Sequence, residues 1–262
     1  MSKVVRGFVM CIALGVMVFA GYQLANIVYN YASANEDNDV IAAIADSPIT
    51  EELDETEFVD PNVQNKLTAY AKKLFGKAAP GRMPITGNQT KASLAKAQQR
   101  RINFPALKKK NKQIIAWIYV PNMGIDYAVT KASDNKYYLK RNALKKPSSA
   151  GAIFMDAKAR ADFEGMDSPV YGHHMRDKSM FGSLPKFRNA SFRKKHQYIY
   201  VYTPQSTKKY KLSSQFITNQ KQLAPNTSST KILTLVTCEY TSANAHYVVR
   251  AKLVSSKAPG AK

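Results

Sequence analysis

Hydrophobic positions along the 262 residues change texture three times. Gly7 to Ala25 (GFVMCIALGVMVFAGYQLA) is an uncharged run of about nineteen residues, enough to cross a hydrocarbon core of roughly 30 Å as a helix. Lys3 and Arg6 precede it and no basic residue follows until Lys66, a bias that puts the N-terminus in the cytoplasm and the rest of the chain outside. Small residues at Val18 and Ala20 leave a cleaved signal peptide as the alternative. The apolar run continues through Leu24 to Ile27 and Val28, which favours an uncleaved anchor over residues 1–30. Residues 31–61 are polar and acidic, with Ser47-Pro48 and Asp60-Pro61 as breaks, and read as an extracellular tether. Over 62–102 the period becomes helical. Val63, Leu67, Tyr70 and Leu74 share one face, Ala79-Pro80-Gly81 ends that helix, and a second runs from about Lys91 to Arg101.

From Ile114 the segments are short and rich in β-branched and aromatic residues. Eight candidate strands lie at 114–120, 125–130, 151–155, 168–172, 197–203, 209–218, 231–237 and 246–254, mostly separated by Gly, Pro, Asn, Asp and Ser. Many short strands of this kind predict a mainly-β sandwich or closed barrel, closure being the way to dispose of exposed edges. One helix is expected near Phe181 to Phe187.

Charge sharpens the division. The chain carries 39 Lys+Arg against 18 Asp+Glu, net +21, but residues 1–65 sum to −8 and residues 66–262 to +29. With 45% hydrophobic residues a disordered chain is excluded. The basic body does not oppose its export, since long domains translocate largely regardless of charge. Runs such as Lys108-Lys109-Lys110 and Arg193-Lys194-Lys195 are solvated faces or a surface for anionic wall polymers; nucleic acid is not an expected partner outside the cell.

Candidate chemistry begins with the cysteines. Cys11 lies in the apolar run, so an external Cys238 has no partner and is a buried inert thiol, an intermolecular disulfide or a nucleophile. A nucleophilic thiol needs a base, and His173 and Cys238 both end predicted strands, where a rigid sheet can fix two side chains that are distant in sequence. His173 and His174 are adjacent and point to opposite faces of a strand, so they could not grip one ion. No phosphate-cradling glycine motif occurs. Neither a metal nor a cofactor is expected.

At these residues the sequence resembles the class B sortases, membrane-anchored cysteine transpeptidases of Gram-positive bacteria. TLVTC (Thr234 to Cys238) is similar to the family's TLxTC nucleophile signature, and VYGHHMRDKSMFGSL (Val170 to Leu184) to its histidine block. The segment through IIAWIYVPNMGIDYAV, DNKYYL (Asp134 to Leu139) and AGAIFMD (Ala150 to Asp156) resembles the family in the same order. The resemblance implies an eight-stranded sortase barrel over 103–256, N-terminal helices packed on it and a basic tail at 257–262. It implies that Cys238 is the nucleophile and His173 the catalytic histidine, with His174 a bystander.

The third family residue, an arginine on the last strand, is where this chain departs. His246 occupies its slot in Ala245-His246-Tyr247-Val248-Val249-Arg250, and an arginine follows four residues later. Positions four apart share a strand face but lie about 13 Å from one another. Arg250 and His246 are therefore both candidates for the oxyanion and substrate role, with Arg250 needing a shift of register. Val236 stands where relatives often carry Ser. Thr237 and Glu239, flanking the nucleophile, are candidate substrate contacts.

The implied reaction is cleavage of a C-terminal sorting motif of exported proteins through a thioacyl enzyme. The acyl group then passes to an amine of a cell-wall precursor or a pilin lysine. Rival readings are a secreted cysteine peptidase or amidase using water, and a non-enzymatic basic envelope-binding module. His173 precedes Cys238 in the chain, the reverse of papain-like peptidases.

Overall fold

The computed structural model describes residues 3–49, 87–219, 229–238 and 245–261; the side chains of Cys238 and of part of the first helix lie outside the described residues, as do Glu239 and the helix expected from Val63. Helix α1 (Lys3–Ala45) comes first, then α2 (Lys91–Gln99) and α3 (Phe104–Lys110). The strands are β1 (Ile114–Val120), β2 (Ile125–Thr130), β3 (Ile153–Met155), β4 (Asp167–Tyr171), β5 (Tyr198–Tyr202), β6 (Thr207–Thr218), β7 (Ile232–Cys238) and β8 (His246–Lys257). Every expected strand is present, with its ends moved by at most three residues.

The strands close into a barrel in the order β1-β2-β3-β4-β7-β8-β6-β5. Pairs β2–β3 and β4–β7 are parallel and the remainder antiparallel. Ile118, Val129, Val170, Val201, Leu235 and Val249 fill the interior, each fully buried. Burying one such side chain stabilises by roughly 1.5–3 kcal/mol. A second apolar layer lies outside β1, β2 and β5, where Trp117, Ala128, Tyr200 and Tyr202 meet the helices. Burial on both faces explains why β1 and β2 read as nearly continuous apolar runs.

Local chemistry fixes the helices on this layer. Thr90 and Ser93 form a reciprocal capping box at the start of α2, and the Asn103 side chain accepts from Ala106 N at the start of α3. Tyr200 and Tyr202 donate their hydroxyls to Leu94 O and Ala97 O on α2, at 3.0 and 2.7 Å. Arg100 bridges Asp46, just beyond α1, and the buried Asp126 of β2, while lying over the rings of Trp117, Tyr119 and Tyr202.

Two expectations need correction. Where a tether is expected from residue 31, α1 continues to Ala45, and Ala34, Asp37, Ile41, Ile44 and Ala45 are buried against the barrel side. These positions keep helical spacing, but Ile41 and Ile44 are the stripe's only large apolar residues among alanines and acids, so it does not stand out as apolar. The helix expected near Phe181 is a 3-10 turn (Leu184–Arg188) followed by α4 (Ala190–Lys195). Pro185 begins the turn, and Asn189 starts a new helix by accepting from Phe192 N. Among the described residues no helix is long and apolar enough to cross a membrane. The run Gly7 to Ala25 lies within α1, with the side chains of residues 7–14 and 24 outside the described set.

Candidate active site

Three neighbouring strand ends make the site. β4 and β7 run parallel with Tyr171 opposite Val236, and Gly172 N donates to Val236 O at 3.1 Å. Two residues onward along each chain stand His173 and Cys238, so residues 65 apart in sequence reach adjacent strand ends. On the other side of β7, β8 runs antiparallel and places His246 opposite Cys238. Gly172 is required here: a Cβ would lie 2.4 Å from Ile153 and 2.8 Å from Phe181.

A pocket of about 210 Å³ opens on the outer face of these strands. Phe154, Tyr171, His173, Thr237, His246 and the Leu139 segment line it. Phe154, Tyr171 and Val236 face outward because their neighbours Ile153, Val170 and Leu235 face the barrel interior. The Phe154 and Tyr171 rings stack at 5.4 Å. Asp156 accepts from the Tyr171 hydroxyl at 3.2 Å and from Asn135 at 2.8 Å. Burial, helped by the charge of Asp156, holds the Tyr171 phenol well above its ordinary pKa, so it remains a donor.

His173 is half-buried, and its Nε2 lies 2.7 Å from Leu139 O. A carbonyl oxygen only accepts, so Nε2 carries a proton, and in the neutral ring the lone pair is on Nδ1. This is the tautomer a general base needs, with the backbone carbonyl acting as the group that orients the ring. Gly151 makes the arrangement possible. At φ +59 it passes beneath the loop, and a Cβ there would stand 2.6 Å from Tyr138 O, 2.8 Å from Leu139 O and 3.1 Å from the His173 ring.

His246 Nδ1 and Thr237 Oγ1 are buried without a hydrogen-bond partner among the described residues. Each such group costs about 1–3 kcal/mol unless a partner arrives. A peptide group entering beside them would supply one.

Arg250 does not reach this pocket. It stands opposite Thr234, four residues or about 13 Å along β7 from Cys238. Its guanidinium is 4.0 Å from Asp167 and lies over Phe216 at 5.4 Å. Burial raises the Asp167 carboxyl above its usual range, opposed by the Thr234 hydroxyl and the Arg250 charge. Of the two candidates on β8, His246 lines the pocket and stands opposite Cys238, whereas Arg250 stands opposite Thr234. His174 bridges Met180 through the backbone, and His196 is buried beside Phe192 with Nε2 2.8 Å from Gly87 O. Neither lines the pocket. The residues that sequence reasoning left without a role are Leu139, Asn135, Asp156 and Tyr171. All four fall in the quoted family-like segments, which was the available signal.

A Sortase domain model matches residues 118–254. Sortase B of Listeria monocytogenes is 36% identical over 86 residues, 33% of this chain and 35% of that protein. Sortase B of Staphylococcus aureus is 30% identical over 127 residues, 44% and 52% of the two chains. The chain therefore spans about half or less of the length of these relatives. The solved structure of sortase B from Bacillus anthracis in complex with AAEK1 superposes with a TM-score of 0.55 and 28% identity, covering 75% of this chain and 99% of that one. Because the domain match extends over more than half of the chain and takes in both His173 and Cys238, the chain belongs to the sortase family, and the relatives it resembles are class B sortases.

Proposed function

We propose that the protein is a cysteine transpeptidase held at the outer face of the cell membrane. Cys238 gives up its thiol proton to His173 Nδ1 and its sulfur attacks a backbone carbonyl carbon in the C-terminal sorting motif of an exported protein. The tetrahedral intermediate collapses as the imidazolium returns the proton to the leaving amine. An amine of a wall precursor or a pilin lysine then attacks the thioester, losing its proton to His173 and releasing the Cys238 thiol. The thioester keeps the acyl group activated, so no ATP is needed. Thr237 and His246 contact the acyl donor, and His246 donates to the oxyanion in place of the family arginine. The single observation that carries this reading is the register of β4, β7 and β8, which sets His173 and His246 on either side of Cys238.

Gly7 to Ala25 anchors the chain with its N-terminus in the cytoplasm, and the end of α1, α2, α3 and the barrel stand outside. The test is a mass-spectrometric search for peptides bound as thioesters to Cys238 in membranes of the producing cell. The wild type should yield adducts, and Cys238→Ala should yield none and should not process the donor. Retained processing in that variant ends the proposal. Adding an amine separates transfer from hydrolysis: a peptidase would give only the free acid.

A further inference from the structure

The group that orients His173 is a main-chain carbonyl, so its position is set by whatever holds its loop. Residues 138–152 form that loop, closed on itself by Ala152 N to Tyr138 O at 3.0 Å and Ser148 N to Lys140 O at 3.0 Å. At its centre Asn142, 1% exposed, uses Oδ1 to accept from Leu144 N and Lys146 N, both at 3.0 Å. Its Nδ2 then donates to Asp37 Oδ2 at 2.7 Å. The other Asp37 oxygen receives Lys146 Nζ, also at 2.7 Å. One carboxylate on α1, 9% exposed, therefore takes both the side chain that builds the turn and the cation that ends it. The adjacent Asn38 lies 3.9 Å from Met180 Sδ. Met180 precedes Phe181, whose N–H holds the His173 carbonyl at 3.0 Å. The same helix turn thus touches the segments on both sides of the imidazole.

We propose that Asp37 is a positioning residue: by clamping Asn142 and Lys146 it holds the Leu139 carbonyl where it fixes the His173 tautomer and ring. The inference rests on the proposed partnership of His173 with Cys238. Lys146 is largely exposed and contributes little as an ion pair. The buried Asn142 bond carries the effect, because removing its acceptor leaves an amide unpaired in the interior. A carbonyl that shifts by about an ångström no longer aligns the ring, and misplacements of that size are enough to reduce rates strongly.

The test needs no knowledge of the sorting motif. Full-length protein in detergent, carrying Cys11→Ser, is alkylated at Cys238 with iodoacetamide across pH 5 to 9, and thermal unfolding is followed in parallel. The rate reports the thiolate fraction, which a well-placed histidine raises at neutral pH and below. Asp37→Ala and Asn142→Ala should slow alkylation at pH 7 by about tenfold and give the profile of His173→Ala. Asp37→Asn, which retains an acceptor for Asn142, should recover most of the wild-type profile. Glu164→Ala, which removes the ion pairs to Lys208 and Lys231, serves as the control for stability alone and should leave the profile unchanged. If Asp37→Ala lowers the unfolding midpoint but keeps the wild-type profile, Asp37 is only a staple and the inference is overturned. If Asp37→Ala does not fold, Asn142→Ala and Asp37→Asn decide by the same criterion. A His173→Ala profile identical to wild type would instead overturn the partnership of His173 with Cys238.

Discussion

His173 spends one ring nitrogen on a carbonyl, and that decides which nitrogen remains to take a proton. In a triad built with a carboxylate the orienting group can be deleted by mutation; here no side chain corresponds to it, and Leu139 itself is replaceable. The accessible handle is Gly151. Gly151→Ala forces a Cβ against both the Tyr138 and Leu139 carbonyls at a φ that L residues rarely adopt. Thioester formation, measured in a single turnover with the peptide recovered from Cys238, should fall by about a hundredfold while the far-ultraviolet circular dichroism is unchanged. A normal rate would show that the carbonyl does not orient the ring. The same assay separates the two candidates on β8. His246→Ala should lose about a hundredfold, the effect of one oxyanion donor, and Arg250→Ala should stay near wild type. The opposite order would give the role to Arg250.

At the scale of elements, Arg100 is the pin between the helices and the barrel. Its replacement by Met keeps much of the packing but leaves Asp126, 7% exposed, as a buried carboxylate whose remaining bond in the described set is to Trp117. Breaking one side of such a pair costs about 3–5 kcal/mol. Arg100→Met should therefore lower the stability by that order in chemical denaturation, and adding Asp126→Asn should recover part of the loss; additive losses would mean the two residues act separately. Elements also show what the sequence discloses. The strands were legible because turn residues punctuate them, and the place of His173 and Cys238 at strand ends was legible for the same reason. The parallel alignment of β4 and β7 was not written in either strand, since it depends on β5 and β6 being threaded between them in the chain. The end of α1 was hidden for another reason. Ile41 and Ile44 are the only large apolar residues in its buried stripe, and Ala34, Asp37 and Ala45 bury little apolar area each, so amid Glu36, Asp37 and Asp39 it looks like solvated chain. The Leu139 carbonyl was invisible in principle, because main-chain atoms have no identity in a sequence.

For the whole molecule, charge is the dominant long-range property. Residues 66–262 carry +29, and a potential of that sign should draw anionic polymer to the barrel independently of catalysis. Binding to a purified polyphosphodiester, followed by co-sedimentation, should persist in Cys238→Ala and weaken steeply between low and physiological salt. Salt-independent binding would point to a specific pocket instead. The unbroken α1 has a geometric consequence of its own. On the proposed anchor, Ala34, which is buried against the barrel, stands only nine helical positions beyond Ala25, the last residue of the nineteen-residue run. At 1.5 Å per residue that is about 14 Å, little more than the depth of a lipid headgroup layer. A floppy leash would let the pocket sweep a hemisphere; a rigid stub sets its altitude. On that anchor the pocket would stand at a fixed height above the membrane, open to acyl donors and amines still moored there and out of reach of those that have moved into the outer wall.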